Sequence, residues 1–415
     1  MRAFIILLIL CFSLQLRADY LIAYRNTTLK KKPQSSANPV IGGAVKEGDI
    51  LELLDSAKQT NGYYHVQLMG TSIDGYIYRS LVRRESGDIP GFLNAGGTLE
   101  VTVVDVGAGL GCIIKTPGDQ YIIYDGGNGN MVHTFLKSIY PVGRDIAYVI
   151  ASHTDSDHWG AIKEIAEDYK VKKSLITSYR PDGLPGTVSD GILELKKDGG
   201  MQDLAKVSIA PGTVIYQEGD LRLRYLSGFG KRDDRFAKEL GNEASKLRNA
   251  ASIVLRLEYA DKAILFTGDI VGLEECKKSK CDCDYKCISS EKYLIDSLSG
   301  FLEANVIIAP HHGARNASCP DFIEKVNPDY VIFSAGDKHK HPHDLTANNY
   351  LAAGVPLKNI FRTDIGAIPE DTDTNLCNNE WVGTNEDRTD DDGSFDDHIK
   401  IQITSEGRLL VGYLE

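Results

Sequence analysis

Between Tyr148 and Gly160 the chain reads YVIASHTDSDHWG, so an apolar run ends and His153, Asp155, Asp157 and His158 follow at once. Imidazole nitrogens mixed with carboxylate oxygens suit a borderline divalent cation such as zinc or manganese. A strand that stops at a short loop would hold such groups in a fixed cluster. Aspartates also cap helix N-termini, but a cap explains neither histidine in step with the two acids. The chemistry open to such a cluster is hydrolysis, because a bound cation acidifies water and takes charge from a leaving oxygen.

Other apolar runs deliver similar groups at their ends. AILFTGD stops at Asp269, NVIIAP runs into His311 and His312 of HHGARNAS, and HKHPHD carries His339, His341 and His343. One histidine of the HHG pair should complete a metal set. On strand context alone Asp269 is equally a turn residue, and HKHPHD alone is equally an exposed polar loop.

The pattern H-x-D-x-D-H-x-G after a hydrophobic strand resembles the signature of the metallo-β-lactamase superfamily, in the variant where Asp155 replaces the more usual second histidine. With VVDVGAG upstream and NAASIVLRL downstream, residues 98–366 are similar to the hydrolase domain of ComEC-type DNA-uptake proteins. The resemblance implies an α/β fold of the αββα sandwich type and two divalent metal ions, zinc first and manganese as the alternative. It implies metal ligands at His153, Asp155, Asp157, His158, Asp269 and His312, with Asp269 as the bridging carboxylate. Asp157 would also orient the attacking water, and His343 in the H-P-H element would act as a late ligand or proton donor. Asp125 in YIIYDGG corresponds to an aspartate that supports the metal loop without being a ligand. Asp105 falls in the DVGAG loop of the ComEC group, where Ala108 replaces a common glutamine. Asn249 and Ser252 stand where many relatives carry another histidine ligand; with His311 they are candidates for substrate contact, as are Arg248 and Arg362.

The elements that must position these residues read as α/β from residue 98 onward. LEVTVVDV, CIIKTP and QYIIYD open with a hairpin, VHTFLKSIY fits a helix, and DIAYVIAS, SIVLRLEY, AILFTGD, NVIIAP and DYVIFSAG are strands. Several are fully apolar and should be buried on both faces. Residues 180–245 read as loops and a helix near the substrate. HIKIQITSEGRLLVGYL is a last hairpin, and the acidic stretch Pro369–Asp397 before it lacks calcium-loop spacing and reads as solvated.

Ahead of this domain, residues 19–85 alternate short apolar segments with turns, as in LIAYR, DILELL, YYHVQL and GYIY. They resemble a bacterial SH3-like barrel, which implies a cell-wall peptide or protein as partner. Residues 83–97, RRESGDIPGFLNAGG, carry no periodicity; the linker is assigned to 86–97 and the hydrolase domain to 98–415.

The whole chain of 415 residues exceeds what one core usually supports, which also argues for two folded units. A net charge of −12 and a pI near 5.4 exclude a protein that coats nucleic acid through a basic face. A phosphodiester or nucleic-acid substrate stays open, because bound cations can neutralise it at the reacting centre. Residues 1–18, with Arg2, an apolar run from Phe4 to Leu16 and then Ala18, read as a signal peptide and place the protein as secreted or periplasmic, with no stable membrane insertion after cleavage. Export permits disulfides, and the spacing of Cys276, Cys281, Cys283 and Cys287 favours bridges over a zinc knuckle. Two rival functions remain. The same centre could hydrolyse a lactam, lactone or thioester, or the chain could be a non-catalytic cell-wall or partner-binding protein with a retired hydrolase domain. The retained His and Asp positions weigh against retirement.

Overall fold

A computed structural model describes residues 19–23, 25–45, 50–54, 59–68, 74–86, 97–274, 286–363, 381 and 397–414. Residues 1–18, read from the sequence as a signal peptide, residues 87–96 of the expected linker, Cys276, Cys281, Cys283 and nearly all of Pro369–Asp397 lie outside these residues. The chain divides into two compact units, Met1–Asn94 and Ala95–Glu415.

The described residues of the first unit form an antiparallel sheet with one short 3-10 turn, Arg79–Leu81. Leu21, Leu29, Leu51, Val66 and Ile77 alternate inward along their strands and form its core. Residues 83–86, which show no periodicity in the sequence, belong to the strand Val82–Ser86, which pairs with Asp19–Ala23, so that Ser86, assigned to the linker, is the last residue of the sheet. This strand ends the sheet. An end strand has one backbone partner and tolerates exposed charge, so the VRRES run shows no apolar alternation.

In the second unit two sheets face each other. One contains Leu99–Val103, Gly111–Lys115, Tyr121–Gly126, Tyr148–Ala151, Ser174–Ile176 and Met201–Asp203, and adds the C-terminal hairpin Ile399–Ile403 and Leu409–Tyr413. The other runs from Val214–Glu218 through Leu221–Ser227, Val254–Tyr259, Lys262–Phe266, Val306–Ile308 and Tyr330–Phe333 to Ile360–Arg362. The core between them takes Val101, Ile150 and Ile401 from the first sheet and Leu223, Leu255, Phe266 and Ile308 from the second. Residues of opposite parity face outward. Val149 and Ala151 pack with Leu136, Ile165, Val188 and Leu195 of the helices Met131–Ile139, Ile162–Asp168 and Gly186–Lys197. Leu265, Ile307 and Val331 pack with Leu294, Phe322 and Tyr350 of Ser289–Leu298, Pro320–Val326 and Asp344–Ala352. The layers are therefore αββα, and the central strands read as apolar runs because both of their faces are covered.

Each sheet is antiparallel on one side and parallel on the other. Tyr121–Gly126, Tyr148–Ala151 and Ser174–Ile176 run parallel, as do Lys262–Phe266, Val306–Ile308 and Tyr330–Phe333. Their C-terminal ends carry Asp125, the His153–His158 loop, Asp269 and His311–His312, which is how distant stretches of chain arrive together. The 180–245 segment holds more strand than its composition implied: Met201–Asp203, Val214–Glu218 and Leu221–Ser227 extend the two sheets around the one long helix. Among the described residues no helix is long and apolar enough to cross a membrane.

Candidate metal centre

Asp125, next to last in the strand Tyr121–Gly126, has φ 63°, a left-handed conformation that aspartate tolerates better than most residues. Its Oδ1 accepts from Ser152 N at 2.6 Å, and its Oδ2 accepts from Ser152 Oγ at 2.7 Å and from His158 Nδ1 at 2.8 Å. His158 Nδ1 therefore carries its proton and leaves a lone pair on Nε2. Having donated to Asp125, Ser152 Oγ can only accept from His153 Nδ1 at 3.0 Å, so His153 also keeps its lone pair on Nε2. His312 Nδ1 donates to the Ser334 carbonyl at 2.8 Å, and His311 Nδ1 donates to Asn316 Oδ1 at 2.8 Å. Four buried or half-buried imidazoles are thus held in the same tautomer by hydrogen bonds to the nitrogen that faces away from the centre.

Those Nε2 atoms surround the Asp269 carboxylate. Oδ1 lies 3.2 Å from His158 and 3.3 Å from His312, while Oδ2 lies 3.7 Å from His153 and 3.9 Å from His311. Asp157 Oδ2 is 3.8 Å from His312 Nε2 and Asp155 Oδ2 is 3.7 Å from His153 Nε2. Two groups could each hold a cation, His153 with His158 and Asp269, and Asp157 with His158 and His312, their donor atoms lying within 4.8 Å of one another. The donors fit that purpose. His153 Nε2 and Asp269 Oδ1 are buried without a hydrogen-bond partner, and the Nε2 atoms of His158 and His312, the nitrogens left facing the centre, sit 3.3 Å apart, an arrangement that asks for positive charge between them, a proton or a metal cation.

The electrostatics point the same way. Burial opposes charge on His158 and His312, yet Asp269, aided by Asp125 at His158 and by Asp157 at His312, raises both imidazoles above their ordinary range. Burial likewise opposes the Asp269 carboxylate, but the surrounding histidines hold it well below the usual carboxylate range. The cavity therefore attracts positive charge.

The remaining residues singled out from the sequence fall around this centre in different ways. Asp155 turns Oδ1 away from His153 to accept from Arg248 Nε at 2.6 Å and Arg180 Nη1 at 2.8 Å. Asn249 Nδ2 meets His311 Nε2 at 3.1 Å, and Ser252 Oγ accepts from Asp269 N at 3.1 Å. His343 heads the helix Asp344–Ala352, its Nδ1 accepts from Arg315 N at 3.1 Å, and burial followed by the Arg315 charge pushes it down to about 4. The histidine nearer the centre is His341, whose ring centroid lies 5.9 Å from that of His311 and 6.0 Å from that of His312. The H-P-H run offers both histidines, and no spacing rule chooses between them. Arg362 donates to the Trp381 carbonyl, and the Trp381 amide in turn donates to Pro342 O of the H-P-H run. Asp105 closes its own loop by accepting from Gly107 N at 3.0 Å. Arg180 carried no signal in the sequence beyond its place in a loop.

The sequence model described as the metallo-beta-lactamase superfamily matches residues 112–336. Competence protein ComA of Neisseria gonorrhoeae is 26% identical over 273 residues, 65% of this chain and 31% of that protein. ComE operon protein 3 of Bacillus subtilis is 27% identical over 198 residues, 47% of this chain and 21% of that protein. The chain thus spans less than a third of the length of these curated relatives. Among solved structures, a metal-dependent hydrolase of the beta-lactamase superfamily superposes with a TM-score of 0.37 at 11% identity, over 65% of this chain and 97% of that one.

Proposed function

The chain belongs to the metallo-β-lactamase superfamily, and on that premise we propose that it is a metal-dependent hydrolase that cleaves phosphodiesters. The observation that carries the hydrolase reading is the ring of Nε2 lone pairs around Asp269, each fixed by a partner on the far side of its imidazole. His153, Asp155, Asp157, His158, Asp269 and His312 would hold two divalent cations, zinc or manganese. When bound, such cations acidify water and offset charge on the leaving oxygen.

The protein's own groups supply the rest. Asp157 is 35% exposed at its side chain, against 5% for Asp269, so it is the more open carboxylate and the better placed to orient an attacking water. Asp125 and Ser152 keep His153 and His158 in the tautomer that presents Nε2. His311 lies beside Asp269 Oδ2 with Asn249 at its Nε2, and the pair can contact substrate there.

The choice of a phosphodiester of nucleic-acid type is supported by the ComEC-like motifs and by relatives that are named competence proteins. Action outside the cytoplasm is supported by the leader-like residues 1–18 and by the disulfide between Cys287 and Cys319.

The test is metal content after purification without added cations, with turnover of bis-p-nitrophenyl phosphate and single-stranded DNA set beside nitrocefin and an acyl lactone. Zinc or manganese in the protein and phosphodiester turnover that Asp157→Ala removes are the expected results. Preferred cleavage of nitrocefin or the lactone would reassign the substrate, and a protein with neither metal nor turnover would end the hydrolase reading.

A further inference from the structure

Resting on the metal centre just described, we propose that its two cation positions are unequal and that Arg180 and Arg248 make them so. The resting protein would hold one cation firmly beside Asp157, His158 and His312, and a second only weakly beside His153 and Asp155.

The first reason is a count of lone pairs. His158 belongs to both groups of donors, but its Nδ1 is committed to Asp125 at 2.8 Å, so Nε2 alone can bind a cation. That atom lies 3.3 Å from His312 Nε2 and 3.2 Å from Asp269 Oδ1. Given to that side, it completes a set of four with Asp157, His312 and Asp269 Oδ1, which is what a tetrahedral site requires. The other position keeps His153 Nε2 and Asp269 Oδ2, 3.7 Å apart, and must draw on Asp155.

The second reason is charge. Asp155 Oδ1 accepts from both Arg180 and Arg248, and Arg248 Nη1 also donates to both oxygens of Asp182, at 3.0 and 2.9 Å. Two guanidiniums facing two carboxylates sum to zero, so Asp155 brings little net negative potential to the position beside His153. Arg248 is only 8% exposed, and water screens this effect poorly. The neighbours that could compensate are engaged: Asn249 meets His311 Nε2, and Ser252 Oγ takes the Asp269 amide. Arg180 and Arg248 are positioning residues here, acting on the cation through Asp155.

The experiment strips the full chain of metal and titrates it with manganese(II), counting bound ion by electron paramagnetic resonance and the ion retained after desalting. Wild type should retain one ion per chain and bind a second at least about tenfold more weakly, the scale on which groups behind a ligand change metal affinity. Arg248→Met should tighten the weak position by about tenfold and leave the firm one unchanged, because it exposes the charge of Asp155 and Asp182. Arg248→Lys, which keeps the charge, should stay near wild type. If Arg248→Met loses the firm ion as well and so reports misfolding, Arg180→Met replaces it and should tighten the weak position in the same way. Two equally firm ions in wild type, or a weak position that either folded methionine variant leaves unchanged or weakens, would overturn the proposal while leaving the metal centre standing. Failure of wild type to bind manganese or zinc at all would overturn the metal centre itself.

Discussion

Asp125 Oδ2 lies 2.8 Å from His158 Nδ1, and neither side chain reaches solvent. The pair joins the end of one strand to the loop after the next and fixes which nitrogen of His158 faces the centre. Asp125→Asn keeps an oxygen for the Ser152 amide and tolerates the left-handed backbone, but it loses the charge and one acceptor. Metal affinity should fall about 10–100-fold, as when a partner behind a ligand is removed. Calorimetric titration with zinc checks this, and an unchanged affinity would show that the tautomer is fixed by other contacts.

Gly160 closes the same loop under steric constraint. A Cβ there would meet the Gly129 carbonyl oxygen, and would stand 2.6 Å from both Gly127 O and Gly129 N, all backbone atoms that cannot swing aside. Gly160→Ala should therefore cost about 1–3 kcal/mol of stability by overpacking and displace the His153–His158 loop, which urea unfolding and metal retention would both report. Wild-type values for both would mean that the loop shifts without cost.

The strand ends were legible in the sequence because an apolar run that stops at His and Asp marks both a buried strand and what it delivers; His153, Asp157, His158, Asp269 and His312 meet in the fold for that reason. Side-chain commitments across the chain were not legible. Asp155 and Arg248 lie 93 positions apart and no local pattern links them, so Asp155 reads from sequence as a plain ligand rather than one shared with two arginines. The strand Val82–Ser86 was hidden by its charge, since an end strand needs backbone pairing and not an apolar face. His341 lies against His311 and His312 while His343 heads the helix that follows, and nothing in the H-P-H run itself tells the two apart.

Among the described residues Cys112 is a free, buried thiol and Cys287 is bonded to Cys319, 32 positions away, reaching outside its own cysteine-rich segment. The bond ties the segment that pairs with Leu273 to the start of the helix Pro320–Val326, and the Leu273 amide in turn donates to Asn316 O. Closing a loop of this length is worth about 2–4 kcal/mol. Cys319→Ala should lower the unfolding free energy by that order, and reductant should then have less effect on the variant than on wild type in urea titrations. Equal sensitivity to reductant in both would assign the effect to another bond.

Glu291 supplies a pH dependence removed from the metal centre. It is fully buried, with Oε1 accepting from Ser318 N at 2.6 Å and Oε2 from Cys319 N at 2.7 Å. Burial pushes its carboxyl from an ordinary 4.5 up to about 8, more than the two amide hydrogen bonds bring it down. A folded-state value above the unfolded one means that the folded protein binds this proton more tightly. The stability it contributes is complete below 4.5 and is lost as pH rises through about 8. Unfolding free energy measured by urea titration should accordingly decline from about pH 5 to pH 9, and Glu291→Gln should remove that part of the slope at some cost in overall stability, since its amide group faces a backbone N–H. Parallel curves for wild type and variant would show that Glu291 ionises as freely in the fold as in the unfolded chain, with the two backbone amides sufficient to carry its charge.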